Sequence, residues 1–254
     1  MFPQVAAGRT RRGQRQRPDR REGCGQPDDT VCRGCTEAIA AGLWPGPRTV
    51  TPTPCPEGMP LAFAAGPYEG PLARLVTAYK DDGRRDVRPV LAPVLSTALD
   101  LALRSQPEHR RALARDTRPV LVVPVPTSRA ARRRRGDAPL LDLARAAATG
   151  FAGHELWCAD ALRLRRRVAD QAGLTARERR VNLEHAIEPR PRWADSLPGA
   201  PCVLVDDVLT TGATLVEARR ALLRAGAVSV VAATVCATAR RHPQPAAGVS
   251  GLGP

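Results

Sequence analysis

The sequence predicts an α/β fold: a mostly parallel, twisted sheet with helices on both faces, plus a small N-terminal cysteine-containing segment. Two observations carry this. The runs PVLVVPVP (119–126), PCVLVDDV (201–208) and VSVVAATVCAT (228–238) are short, apolar and β-branched, as strands buried on both faces are. They are connected in the order strand, loop, helix, strand, which is the order of a parallel sheet with helical crossovers.

The elements follow in chain order. Residues 1–22 hold seven arginines and little that could be buried, so they read as a disordered basic arm. Residues 23–60 contain four of the seven cysteines, and their TVTPTPCPEGMP stretch is a turn-rich connector that no long helix can accommodate. Residues 61–242 read as the folded domain. LAFAAGPYEG is a strand ending in a turn. PLARLVTAYK opens a helix with Pro71 at a favoured first position and Leu72, Leu75, Val76 and Tyr79 at helical spacing. A second helix covers Val87 to Ser105, and another runs through PLLDLARAAATG after the 119–126 strand. Asp160 to Glu188, arginine-rich with scattered apolar positions, reads as a long loop or hairpin with a helical turn at Ala176–Leu183. The helix LVEARRALLRAG ends at Gly226, and residues 243–254 form a proline- and glycine-rich disordered tail.

Composition limits the partners. The formal net charge is +14, and Lys80 is the only lysine among the 39 lysine and arginine residues. Such a chain attracts polyanions in a salt-dependent way. With aromatics at only 3%, an array of base-stacking platforms is disfavoured. No apolar h-region opens the chain and no apolar run reaches spanning length, so the expectation is a cytoplasmic protein without membrane insertion. In that compartment the cysteines are thiols or metal ligands and not a disulfide framework. Cys24, Cys32, Cys35 and Cys55, with Cys32-Arg-Gly-Cys35 as the knuckle, are candidate ligands of a zinc-ribbon-like site; a metal-free segment is the alternative. The histidines form no recognisable set, and neither a Gly-x-Gly-x-x-Gly nor a Walker A pattern is present.

The strongest signal runs from Val203 to Thr214. An apolar strand brings Asp206 and Asp207 to its carboxyl end, where ligands bind in open α/β sheets. Thr210, Thr211, Gly212, Ala213 and Thr214 then turn into a helix. Their hydroxyls and N–H groups, with the positive end of the helix dipole, suit a phosphate, and Gly212 permits close approach. Carboxylates beside a phosphate cradle make sense for a ligand that also offers hydroxyls, with a magnesium ion nearby. A 5-phosphorylated ribose has that chemistry.

This stretch resembles the 5-phosphoribosyl-1-pyrophosphate (PRPP) motif of type I phosphoribosyltransferases over its full length. The order VPVPTSRAARRRRGDAPLLDLARA, then LRLRRRVADQAGLTARERRVNLEHAI, then this motif is similar to the competence protein F (ComF) family across roughly residues 60–240. The resemblance implies a type I phosphoribosyltransferase-like fold. It implies a pyrophosphate loop at Thr127, Ser128 and Arg129, where hydroxyls, backbone amides and a guanidinium suit a diphosphate. It further implies a flexible loop over Arg163–Asn182, with Gln171, Arg177 and Asn182 at recurrent family positions. Lys80 falls where the family commonly has a lysine, which suggests a phosphate contact or else a plain surface residue. Two departures stand out. Gly136-Asp137-Ala138-Pro139 replaces a frequent Gly-Phe-Asn-Gln, and Arg21 occupies the position of a first cysteine three residues before Cys24.

Two functions follow from the resemblance. One is a phosphoribosyltransferase that binds PRPP with magnesium and acts on an unidentified acceptor. The other is a non-catalytic accessory module in single-stranded DNA uptake or processing, working with DNA or competence-machinery proteins.

Overall fold

The computed structural model describes residues 31, 33–114, 118–126, 138–151, 156–165 and 185–238. Its strands are β1 (Arg48–Val50), β2 (Ala62–Pro67), β3 (Val120–Pro124), β4 (Leu156–Cys158), β5 (Leu162–Leu164), β6 (Ile187–Pro189), β7 (Pro201–Leu209) and β8 (Ser229–Ala237). The main sheet has the order β1-β2-β8-β7-β3-β4, and β5 and β6 form a separate hairpin. Every pairing in the main sheet is parallel except that of the edge strand β1 with β2. The fold class is therefore the one the sequence predicts.

The strand order identifies the functional end. From β3 the chain crosses to β4 on one side and later returns to β7 on the other side of β3. The carboxyl ends of β3 and β7 thus flank a topological switch point, where the outgoing loops diverge and leave a crevice. Pairing places Pro124 opposite Val205, and Val125 N–H donates to Val205 O at 2.9 Å, so the two strands stay joined up to that crevice.

Six helices cover the sheet among the described residues: α1 (Arg33–Gly42), α2 (Gly70–Lys80), α3 (Arg88–Ser105), α4 (Pro107–Leu113), α5 (Pro139–Ala148) and α6 (Ala213–Arg224). Pro71, Pro89, Pro107 and Pro139 each sit in the first turn of a helix, where the missing N–H costs no hydrogen bond. In α3 the buried stripe Leu91, Leu95, Ala98, Leu99, Ala102 and Leu103 repeats at helical spacing and packs on β2, β7 and β8. Burying each of its leucines contributes about 1.5–3 kcal/mol before entropy is counted. The α6 helix packs on β7 and β8 and against β6. Cys202, Val203, Leu204 and Val205 are all fully buried, so successive side chains of β7 are covered on both faces of the sheet. Cys202 and Cys236 are buried in strands, as expected of filler cysteines. No helix among the described residues is long and apolar enough to cross a membrane.

Three features depart from the sequence reading or exceed it. Residues 33–42, inside the cysteine segment, are helical, with Cys35 and Ile39 on the buried face one turn apart. The connector starts as β1, because the first residues of its TVTPTP stretch pair with Phe63 and Ala62 before the prolines end the ladder. The Asp160–Glu188 region is tied at its base by the β5–β6 hairpin, in which Arg163 faces Glu188 and pairs with it at 2.8 Å. The proposed helical turn at 176–183 lies outside the described residues.

Candidate functional site

The site grows from the last residues of β7. Asp206 Oδ1 accepts the Asp207 N–H at 2.8 Å, and Asp207 Oδ1 accepts the Val208 N–H at 2.8 Å. Each carboxylate is thereby held against its own strand. Leu209, which ends β7, accepts at its carbonyl from Thr238 N–H at 3.0 Å and from the Thr238 hydroxyl at 3.3 Å. The chain then turns through Thr210 and Thr211 to Gly212, whose φ of +75° is the left-handed conformation that glycine adopts without penalty. Gly212 O accepts the first helical hydrogen bond, from Val216 N–H at 2.9 Å, and α6 begins at Ala213. Ala213 N–H reaches Thr211 Oγ1 at 3.5 Å, and the N–H groups of this first turn give the cradle a positive partial charge.

The connector braces the turn from behind. A Cβ on Gly212 would stand 2.7 Å from Met59 Sδ and 3.2 Å from Pro52 Cγ. Arg219, on α6, reaches back to Gly58 O at 3.4 Å. No residue pattern points to Met59 or Pro52 in advance. The only signal is the proline density of the connector, which marks it as stiff.

Lys80 comes to the acids from α2. Its Nζ lies 2.9 Å from Asp207 Oδ1 and 2.9 Å from Oδ2. The residue suggested as a phosphate contact is thus, in this structure, the counter-ion of Asp207. Burial opposes the Lys80 charge, but Asp207, Asp206 and Asp81 outweigh it and hold the ammonium above its ordinary range. Asp206 is pushed far above the usual carboxylate range, first by burial and then by the adjacent Asp207 charge, with Lys80 opposing.

On the other side of the switch point a cavity is lined by Pro124–Pro126 at the end of β3, Ala138–Leu141 opening α5, Asp160, the β5 strand and Arg190. Asp160 pairs with Arg190 at 3.4 Å and Arg192 at 3.1 Å. The sequence reading gave Asp160, Arg190 and Arg192 no role. The arginines there look like any others in so basic a chain.

Of the residues singled out from sequence, the fold brings Asp206, Asp207, the Thr210–Thr214 turn and Lys80 to one end of the sheet. Thr127, Ser128 and Arg129 follow directly on Pro126 but lie outside the described residues, as do Gln171, Arg177, Asn182, Cys24 and Cys32. Of the other two candidate zinc ligands, Cys35 is buried in the first turn of α1 and Cys55 is exposed, its Sγ 3.7 Å from Pro56 O.

Among the described residues no three His, Cys, Asp or Glu side chains stand together as a metal-binding group. At the acid pair an ammonium already spans both oxygens of Asp207. This donor set does not fit a magnesium ion held by the protein.

Residues 167–251, which include both acids and the whole turn, match the model of the phosphoribosyl transferase domain. Over that third of its length the chain is similar to the phosphoribosyl transferase domain. This agrees with the likeness to the ComF family. Curated relatives point the same way. The DNA utilization protein YhgH of Salmonella typhi is 29% identical over 219 residues, covering 82% of this chain and 90% of that protein. Its namesake from Escherichia coli O157:H7 is 40% identical over 85 residues, which is 34% of this chain and 36% of that protein. The namesake from strain K12 is 39% identical over the same extent. The chain thus aligns with only about a third of the length of the Escherichia coli relatives. Within the matched residues, Asp206–Thr214 form the strand-end acids and the turn.

Proposed function

We propose that the protein binds PRPP and transfers its phosphoribosyl group to an acceptor. The observation that carries this reading is the pair Asp206–Asp207 at the end of β7, followed at once by the left-handed Gly212 that opens α6. The 5-phosphate takes the Thr210–Thr214 turn, and the 2′- and 3′-hydroxyls donate to the acids. The pyrophosphate lies on Thr127–Arg129, which follow Pro126 in the sequence.

In the transfer, the bond from ribose C1 to the pyrophosphate oxygen breaks, and pyrophosphate leaves with the electron pair. A bond forms between C1 and a nucleophilic atom of the acceptor, which loses its proton. A magnesium ion, were one to arrive bound to the ligand's pyrophosphate, would supply screening of that group's charge, with Thr127, Ser128 and Arg129 as the residues on this chain nearest to the task. The chain's own contribution is to fix the ribose, to stabilise charge on the leaving group through Arg129 and backbone amides, and to exclude water with the part of the 163–182 stretch that follows β5. The reaction takes place in the cytoplasm.

A second reading is favoured by the name of the relatives, DNA utilization protein. In it the same fold serves single-stranded DNA uptake or processing without turnover, together with competence-machinery proteins, and its arginines provide the electrostatic attraction. Pyrophosphate release separates the two. The enzyme reading expects PRPP-dependent release by the wild type, lost in an Asp206→Asn/Asp207→Asn double variant. No release with any acceptor tested, together with single-stranded DNA binding that the double variant retains, would establish the second reading.

A further inference from the structure

A carboxylate beside a phosphate cradle needs a neutralising positive charge, or it repels the ligand that the cradle attracts, and at this acid pair the charge is that of Asp207. A divalent cation is one solution and a side-chain ammonium is another. The only lysine of the chain stands at this point, against a background that uses arginine everywhere else. A guanidinium is a wide planar fork, whereas an ammonium is a compact point charge that fits between a carboxylate and a ligand.

Lys80 is also held in place. Asp81 and Asp82 close α2 with N–H bonds to Thr77 O at 2.7 Å and Ala78 O at 3.2 Å. Its neighbour Tyr79 is buried, donates its hydroxyl to Pro139 O at 2.7 Å, and accepts at its carbonyl from Arg85. The Arg85 guanidinium lies over the Tyr79 ring, 4.9 Å from its centroid. The base of the lysine is therefore fixed from two directions, and its Nζ straddles Asp207 at equal distances. Of its three N–H groups, two are used on Asp207 and one is left for a ligand oxygen.

We infer that Lys80 takes the place of a protein-held divalent cation at the acid pair, so that the ribose 5-phosphate end of the ligand binds without magnesium. Magnesium is then required only for the pyrophosphate end. This rests on the PRPP reading given above and makes Lys80 a positioning residue for Asp207.

The test is calorimetric titration with ribose 5-phosphate, which lacks the pyrophosphate, in EDTA and in magnesium chloride. PRPP with magnesium is the parallel ligand. For the wild type, the expected affinities for ribose 5-phosphate in the two media agree to within about twofold, a difference of under half a kcal/mol. Lys80→Met is expected to lose about tenfold or more in EDTA and to recover part of it in magnesium, an electrostatic loss that magnesium offsets. A wild type that binds ribose 5-phosphate only with magnesium overturns the inference. So does a folded Lys80→Met that binds as the wild type does in EDTA. The wild-type comparison decides the matter even if the methionine variant does not fold. If PRPP with magnesium binds but ribose 5-phosphate needs the metal, only the role of Lys80 falls. If neither ligand binds under any condition, the PRPP reading falls with it.

Discussion

Met59 lies against the phosphate turn so closely that its sulfur stands 2.7 Å from where a Cβ would project from Gly212. The turn favours a hydrogen at this position for two independent reasons: the φ of +75° and the occupied space behind it. Gly212→Ala is predicted to lower unfolding stability by about 1–2 kcal/mol, mainly from the left-handed backbone, since the Met59 tip can shift. Denaturant titration measures this. A variant as stable as the wild type would show that the left-handed backbone at Gly212 carries no such cost.

The pH dependence of the ligand-free protein follows from two buried groups of opposite sign. Asp206 has its pKa raised, first by burial and then by Asp207, so the folded chain keeps a proton that the unfolded chain has released. Its contribution is complete below the ordinary aspartate range and is lost as pH rises through the raised folded value. His109 is kept neutral by burial, with Nε2–H donating to Cys202 O at 3.1 Å. Its contribution is present above the unfolded histidine value and is lost below it, at about pH 6.5. Between about pH 7 and about pH 8, above the ordinary histidine range and below the ordinary cysteine range, the Asp206 effect dominates, so stability is predicted to fall with rising pH. Asp206→Asn should flatten that slope. A wild-type stability that rises across this interval would contradict the assignment.

Glu217 fastens the hairpin to α6. Buried on the helix, it accepts Ile187 N–H at 3.2 Å and pairs with Arg220 at 2.7 Å, while Arg220 donates to Ile187 O at 3.2 Å. Glu217→Ala leaves a strand N–H and a guanidinium without their partner, at a cost of about 1–3 kcal/mol. Hydrogen exchange at Ile187 should quicken more than at Val203 in the centre of the sheet. Equal protection at both positions would show that the hairpin docks by other contacts.

The legible parts of this fold are those whose signal is local. PVLVVPVP, PCVLVDDV and VSVVAATVCAT are continuous apolar runs buried on both faces, and periodicity reveals them directly. Proline in the first turn marks α2 as plainly. The acids and Gly212 were readable because a strand end, a turn and a helix start follow one another in the chain. What escaped notice depends on partners distant in sequence. β1, β4, β5 and β6 are three residues each, too short for any period, and exist because β2, β3 or one another supply the ladder. The α1 helix was hidden because Cys35 within it and Cys32 just before it form a metal-knuckle pattern. Lys80 was conspicuous as the single lysine, but its partner Asp207 lies on a strand far along the chain, and only the crossover topology brings them together. For His109 no role was legible, since its acceptor is a backbone carbonyl of β7.

The central claim is that the end of β7 and the turn after it hold PRPP. Calorimetric titration of the wild type with PRPP and magnesium, beside the Asp206→Asn/Asp207→Asn double variant, tests it most directly. The account predicts saturable binding by the wild type with a dissociation constant on the order of micromolar, about 8 kcal/mol of binding free energy, lost in the double variant. A well-folded wild type that shows no binding, or a double variant that binds equally well, would contradict it.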